Sequence, residues 1–335
     1  MKTKAKTGLL KFFFIFTCLL LTGIARVSAS EALVKGEEYE INLFWNEKSN
    51  PGDAVFVKIN LSASGRLQKS LKENSSPLEA RLVLFENEKE IRSSNFYLLP
   101  HESQKNRGNW TYLSILPLSS WWKSSNPFSL KMIYTVSAQK SMEVEIPFHL
   151  EDKEFISEEI ELDQNNTDIK TNTSPERIAQ IEKLNSILAQ INSDHVYHTE
   201  AFSSPTKATR RTSFFADRRV YKYTNGKSST SLHFGTDYGI PEGSPVSSCG
   251  NGRVVMAEFR ISTGWSVVIE HLPGLYSLYY HLKEIKVKEG QMVKTGDSLG
   301  ESGSTGLATG PHLHWEMRLN MEAVNPDFFT EVFLR

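Results

Sequence analysis

Pro311-His312-Leu313-His314-Trp315-Glu316-Met317-Arg318-Leu319 alternates polar and apolar residues without interruption. A period of two belongs to a β-strand, whose successive side chains point to opposite faces. The strand would bury Leu313, Trp315, Met317 and Leu319, and would present His312, His314, Glu316 and Arg318 together on the other face. Two histidines on one strand face are more often an ordinary solvated surface than a site. The surrounding sequence therefore has to decide. Immediately upstream, Gly300 to Gly310 reads GESGSTGLATG, a Gly/Ser/Thr-rich run suited to a tight loop that delivers the strand to a site.

Further upstream, His233-Phe-Gly-Thr-Asp237 places an imidazole and a carboxylate around Gly235, whose missing side chain would let the backbone bring both onto one ion. A carboxylate with two imidazoles is a suitable three-ligand set for zinc, with a fourth position open to water. A third segment, Tyr276-Ser277-Leu278-Tyr279-Tyr280-His281-Leu282, is expected to put Tyr276, Leu278, Tyr280 and Leu282 on one side. Ser277, Tyr279 and His281 then fall on the other, less apolar side. Alone, His281 would more often be structural than catalytic. Glu316 shares a face with the strand histidines and would either orient one of them or pair with Arg318 or solvent.

His233-x3-Asp237, then Leu278-Tyr279-Tyr280-His281-Leu282, then Gly303-Ser304-Thr305-Gly306 with Gly310-Pro311-His312-Leu313-His314, stand in one order along the chain. That order resembles the lysostaphin/LytM-type zinc metallopeptidases, and the resemblance covers about residues 202 to 335. It implies that His233, Asp237 and His314 bind one Zn²⁺ and that His281 and His312 are the non-ligand pair beside the water that the ion activates. It further implies an endopeptidase that hydrolyses peptide bonds of cell-wall peptidoglycan, in stem peptides or cross-bridges. Bound zinc would lower the pKa of water from about 15.7 to about 7, while the histidines move the proton and stabilise the oxyanion. One departure is visible: Ser213-Phe214-Phe215-Ala216-Asp217-Arg218-Arg219 resembles the family's Ser-x-Phe-Gly-x-Arg stretch but has Ala216 where the family has Gly.

Two rival functions are open to test. A catalytically silent module, binding peptidoglycan or activating another hydrolase, would typically lack ligands, and none is missing here. A lipoyl- or biotinyl-type carrier is suggested by Val287 to Gly300 (VKEGQMVKTGDSLG), but the loop Gly300 to Gly310 has no acceptor lysine.

The rest of the chain reads differently. Tyr39 to Phe44, Ala54 to Leu61, Ala80 to Phe85, Tyr112 to Leu116, Phe128 to Val136 and Val144 to Leu150 are short alternating stretches separated by turn residues. They predict an antiparallel, immunoglobulin-like β-sandwich over 30–162. Asp163 to Thr173 is polar and predicts a linker. Ser174 and Pro175 then open one amphipathic helix to Asn192, with a stripe of Ile178, Ile181, Leu184, Leu188 and Ile191 expected to pack on a neighbouring domain. The linker and helix occupy 163–201. From Phe202 no helix is expected, so 202–335 is predicted to be an all-β, LytM-like antiparallel sheet.

Bulk properties bound the partners. The formal net charge is -1, and no basic stripe marks a nucleic-acid partner. Residues 30–201 carry 18 Lys/Arg against 26 Asp/Glu, or -8, and residues 202–335 carry 15 against 13, or +2. This shift supports a boundary near residue 200. Lys2, Lys4, Lys6 and Lys11 precede an apolar run from Phe12 to Ile24 and a Val27-Ser28-Ala29 cleavage pattern, which predicts an export signal over 1–29. The run is short for a permanent membrane anchor. Cys18 lies within it, so Cys249 is left as a lone thiol, expected to be small and buried rather than a ligand. Trp121-Trp122 is expected in the sandwich core rather than gripping a glycan. The expected location is periplasm, cell envelope or exterior, and the partner of the first domain is open.

Overall fold

The computed structural model describes residues 30–70, 76–100, 108–137 and 140–334. The expected signal segment, Cys18 and His101 lie outside them. Among the described residues no helix is long and apolar enough to cross a membrane.

The N-terminal part is a two-sheet sandwich. One sheet orders its strands Ser30–Lys35, Tyr39–Trp45, Ala54–Ala63, Asn109–Pro117 and Tyr97–Leu98. The other orders Met142–Ile146, Phe128–Val136, Leu78–Glu86 and Lys89–Asn95. Ile41, Leu43, Val57 and Ile59 of the first face Leu82, Leu84, Leu130 and Met132 of the second in one core. The first sheet is covered on its other face too. Ala54, Phe56, Leu113 and Ile115 point away from the sandwich into the core of the C-terminal part, where Phe56 meets Phe333 edge-on at 5.4 Å. A strand buried on both faces reads as a continuous apolar run, as Ala54-Val-Phe-Val57 does. Asn325 ties the two parts further, donating its side-chain N–H to the buried Asp53 carboxylate at 2.8 Å and its backbone N–H to Gly52 O at 2.7 Å.

The connection between the parts is more ordered than a linker. Ser157–Glu161 pairs in parallel with Arg218–Lys222, extending a sheet of the C-terminal part. The polar stretch expected as linker holds a helix, Gln164–Thr171, capped by the Asp163 side chain, which accepts from Asn166 N. Asn166 and Thr167 are buried there through hydrogen bonds to Ala308 O and from Thr224 N, so neither needs an apolar face. Two helices, not one, therefore join the domains. The second, Pro175–Leu188, begins at its Ser174 cap as expected but stops short of Asn192. Only Leu184 and Leu188 of its stripe are buried, against Met256, Tyr276, Leu278 and Tyr280; Ile178, Ile181 and Ile191 stay exposed.

In the C-terminal part an antiparallel sheet runs in the order Arg211–Ser213, Gly235–Tyr238, Leu313–Leu319, Leu275–Ile285, Gly264–Leu272, Gly252–Arg260 and Met292–Val293. Leu313, Trp315, Met317 and Leu319 are all in its core, as the alternation requires. A short helix, Pro326–Glu331, was not expected; Asn325 caps it and Phe328 and Phe329 fill the interface with the sandwich.

One strand departs from its predicted alternation. Trp265 and Val267, two residues apart, face Leu282 and Tyr279, three apart, so Tyr280 and His281 bulge together opposite Ser266. His281 takes a left-handed φ of 59°. A bulge reverses which face later residues occupy. Leu282 accordingly joins Tyr279 in one core, while Leu278 and Tyr280 lie in another.

Candidate metal centre

Three strands or strand ends converge on one point. Asp237 and His314 are direct neighbours across the Gly235–Tyr238 and Leu313–Leu319 pairing, and His233 stands two residues before that first strand. A side chain on Gly235 would lie 2.2 Å from Trp315 O, so glycine is what allows this close pairing. His233 Nε2 lies 3.0 Å from Asp237 Oδ1 and 2.9 Å from His314 Nδ1; His314 Nδ1 lies 2.7 Å from Asp237 Oδ1. All three residues are buried.

The hydrogen bonds around this triangle determine what its corners can bind. His233 Nδ1 sits 2.7 Å from Phe214 O, and His314 Nε2 sits 2.9 Å from Glu316 Oε1. Both partners can only accept, so those nitrogens carry the ring hydrogens, and the opposite nitrogen of each neutral ring offers a lone pair. Three acceptors thus face one another at 2.7 to 3.0 Å. A positive charge must lie among them. It can be a proton on His314, whose pKa Asp237 and Glu316 hold up at about 9 although burial opposes it. It can equally be a divalent cation, for which two imidazoles and a carboxylate are a fitting donor set. Burial pushes the Asp237 carboxyl up, but the adjoining imidazoles outweigh it and hold the group well below the carboxylate range.

A layer of supporting contacts keeps the triangle in place. Glu316 does both things open to it: Oε1 accepts from His314 and Oε2 accepts from Arg318 Nε at 2.8 Å. Burial raises Glu316, yet Arg318 and His314 bring it down to about 2. Arg219 donates to Asp237 Oδ2 at 3.2 Å and to Glu158 Oε1 at 2.8 Å. Asp217 accepts from Phe214 N at 2.8 Å, closing the turn that aims the Phe214 carbonyl at His233. Ala216, inside that turn, adopts φ of 65°, the conformation for which glycine is suited. Roles for Phe214, Asp217, Arg219 and Glu158 were missed in the sequence. Three of them lie in the Ser213 to Arg219 stretch, but Glu158 reaches the site through a parallel pairing that no local pattern announces.

His281 and His312 stand beside the triangle with ring centroids 4.7 Å apart. His281 Nδ1 donates to Thr305 O and His312 Nδ1 to Gly310 O, each at 2.8 Å. Both Nε2 atoms are left as acceptors. Burial, then the neighbouring imidazoles, bring His281 down to about 3; burial also lowers His312, with Asp237 opposing. Both rings are neutral at ordinary pH. Tyr280 stacks flat on His314 at 5.6 Å and fixes its plane. Cys249 is buried elsewhere, its thiol pushed up to about 11 by burial.

A buried triangle of two imidazoles and one carboxylate, flanked by two neutral imidazoles, is the kind of cluster that holds a divalent cation. Residues 231–326 match the family model described as Peptidase family M23. An uncharacterized metalloprotease of Buchnera aphidicola is 44% identical over 96 residues, covering 29% of this chain and 26% of the relative. Peptidoglycan DD-endopeptidase ShyA of Vibrio cholerae is 36% identical over 148 residues, covering 42% and 34%. DD-carboxypeptidase/endopeptidase Mpg of Neisseria meningitidis is 42% identical over 95 residues, covering 28% and 22%. The chain thus spans between 22% and 34% of the length of these curated relatives. A solved Pseudomonas aeruginosa chain assigned to peptidase M23 superposes with TM-score 0.53 at 21% identity, over 85% of this chain and 95% of that one. That likeness shows the fold across both parts.

Proposed function

We propose that this protein is an exported, zinc-dependent endopeptidase that hydrolyses peptide bonds of cell-wall peptidoglycan. The observation that carries the reading is the convergence of three lone pairs, from His233, Asp237 and His314, beside two imidazoles whose Nε2 atoms are free to accept. The relatives named as peptidoglycan endopeptidases support the substrate class. The expected signal segment supports export.

His233 Nε2, Asp237 Oδ1 and His314 Nδ1 would hold the ion. When bound, zinc supplies Lewis acidity, which polarises a peptide carbonyl and makes water easier to deprotonate. The chain's own residues do the rest. His281 and His312 are neutral, with Nδ1–H committed to carbonyls, so either Nε2 can take a proton from water. Only a ring that has taken that proton can donate from Nε2 to a developing oxyanion. Burial resists storing the charge, so the proton is passed readily to the leaving amine.

Purified protein should carry one zinc per chain and release defined fragments from peptidoglycan, identified by mass spectrometry. Stoichiometric zinc with no release from walls of several cross-bridge chemistries would leave the silent, peptidoglycan-binding or hydrolase-activating module in its place.

A further inference from the structure

Trp121 was expected in the sandwich core, yet its side chain is 64% exposed, whereas Trp122 packs on Phe128 at 4.9 Å. The exposed indole is not loose. Arg218 lies 4.0 Å over one face of the ring, and its guanidinium is pinned by Ser120 O at 2.8 Å and Ala216 O at 2.6 Å. Across a cavity of about 120 Å³, Phe234 is 40% exposed and backed in the same way by Arg318 at 4.5 Å. Ser119, Ser120 and Glu322 add polar groups to the lining, and His233 of the metal triangle forms part of its wall. The two domains therefore meet around a small space with two aromatic rings at its rim and a lining in which Phe215, Ala216, Leu232 and Ala323 stand beside these polar groups.

The chemistry of this rim selects its occupant. Each ring already carries a guanidinium over one face, so a second cation on the other face is disfavoured. Glu322 is paired with Arg92, Arg318 with Glu316, and Arg218 is committed to two backbone carbonyls, so the rim holds charges that are already matched and little to draw an ion of either sign. A neutral ligand with a C–H-rich face and hydroxyl or amide groups suits both the rings and the serines. The cavity, about 120 Å³ and open to solvent at its mouth, has room for an acetamido arm.

We infer that Trp121 and Phe234 form a subsite for an N-acetylated sugar of the glycan strand, the pyranose face stacking on Trp121 and the acetamido group entering the cavity. The choice of ligand rests on the peptidoglycan reading above. Trp121 belongs to the sandwich, so the N-terminal domain contributes directly to substrate recognition, at the wall of the site.

Titration of the full protein with N-acetylglucosamine tetramer, followed by calorimetry, tests the subsite without any catalysis. Trp121→Ala should weaken binding by about tenfold and Trp121→Phe should restore most of it. Absence of binding by the unaltered protein at millimolar tetramer, or equal binding by Trp121→Ala, overturns the subsite. In kinetics, the KM advantage of a glycan-bearing cross-linked muropeptide over the same peptide without sugars should collapse in Trp121→Ala. An equal rise of KM on both would assign Trp121 to the peptide and also overturn the inference. Tetramer binding that persists in a protein unable to cut any wall would refute the endopeptidase reading alone.

Discussion

The strand Leu313–Leu319 keeps its period of two from end to end, while its neighbour Leu275–Ile285 breaks that period at Tyr280 and His281. Both deliver an imidazole to the same place. His314 comes on regular backbone and is held from every side: by register with Asp237, by Glu316 backed by Arg318, and by the flat Tyr280 ring. His281 comes on a bulge at positive φ and is anchored through a single ring hydrogen bond to Thr305 O. A ligand has to hold a fixed position, and regular pairing provides one. A proton-transfer group has to be aimed across the site, and the bulge turns it there at a cost of order 1–3 kcal/mol in strain.

The sharpest way to break this comparison is to remove each ring in turn. His314→Ala should lose the metal outright and drop activity to background, because two donors at this site cannot replace three. His281→Ala should keep one zinc per chain and lose about 10²–10⁴ in kcat, the usual worth of a positioned proton carrier. Metal analysis of the dialysed proteins, beside single-substrate kinetics, separates the two outcomes. Zinc missing from both variants would mean that the division between ligands and proton carriers is wrong.

A smaller effect tests the support behind the regular strand. Glu316→Gln keeps the size of the side chain but removes the charge that fixes the His314 tautomer. Metal affinity should fall about 10- to 100-fold, as for other groups that orient metal-bound histidines. Competition with a chromophoric chelator reads this directly. Unchanged affinity would place the restraint in the Asp237 register and the Tyr280 stack instead.

The same contrast explains what could be read in the sequence. Wherever an element keeps a simple period, as in Leu313–Leu319 or the sandwich strands, side chains fall where alternation puts them. His281 was assigned to the face of Ser277 and Tyr279 because a bulge has no signature in apolar periodicity. Asp163 to Thr173 was read as linker because a helix held by polar contacts to Thr224 and Ala308 shows no apolar stripe. Trp121 was placed in the core on the habit of its residue type, and only the Arg218 contact shows how an exposed indole is kept rigid. Glu158 could not be found at all, since its link to Arg219 depends on a strand pairing between distant segments.

Ala216 offers the smallest and most discriminating measurement, because it shares the left-handed backbone of His281 without a side chain that does chemistry. An L-residue there costs about 1–2 kcal/mol relative to glycine, offset by the greater freedom glycine has in the unfolded chain and by loss of one buried methyl. Ala216→Gly should therefore be stabilising by about 0.5 kcal/mol, seen as a rise of about 1–2 °C in melting temperature. His281→Gly should show a gain of similar sign relative to His281→Ala, in which the imidazole is already gone, with kcat reduced as in that alanine variant. Stability falling in both would show that the positive φ at these two positions is relaxed by its surroundings, and the strain attributed to the bulge would have to be withdrawn.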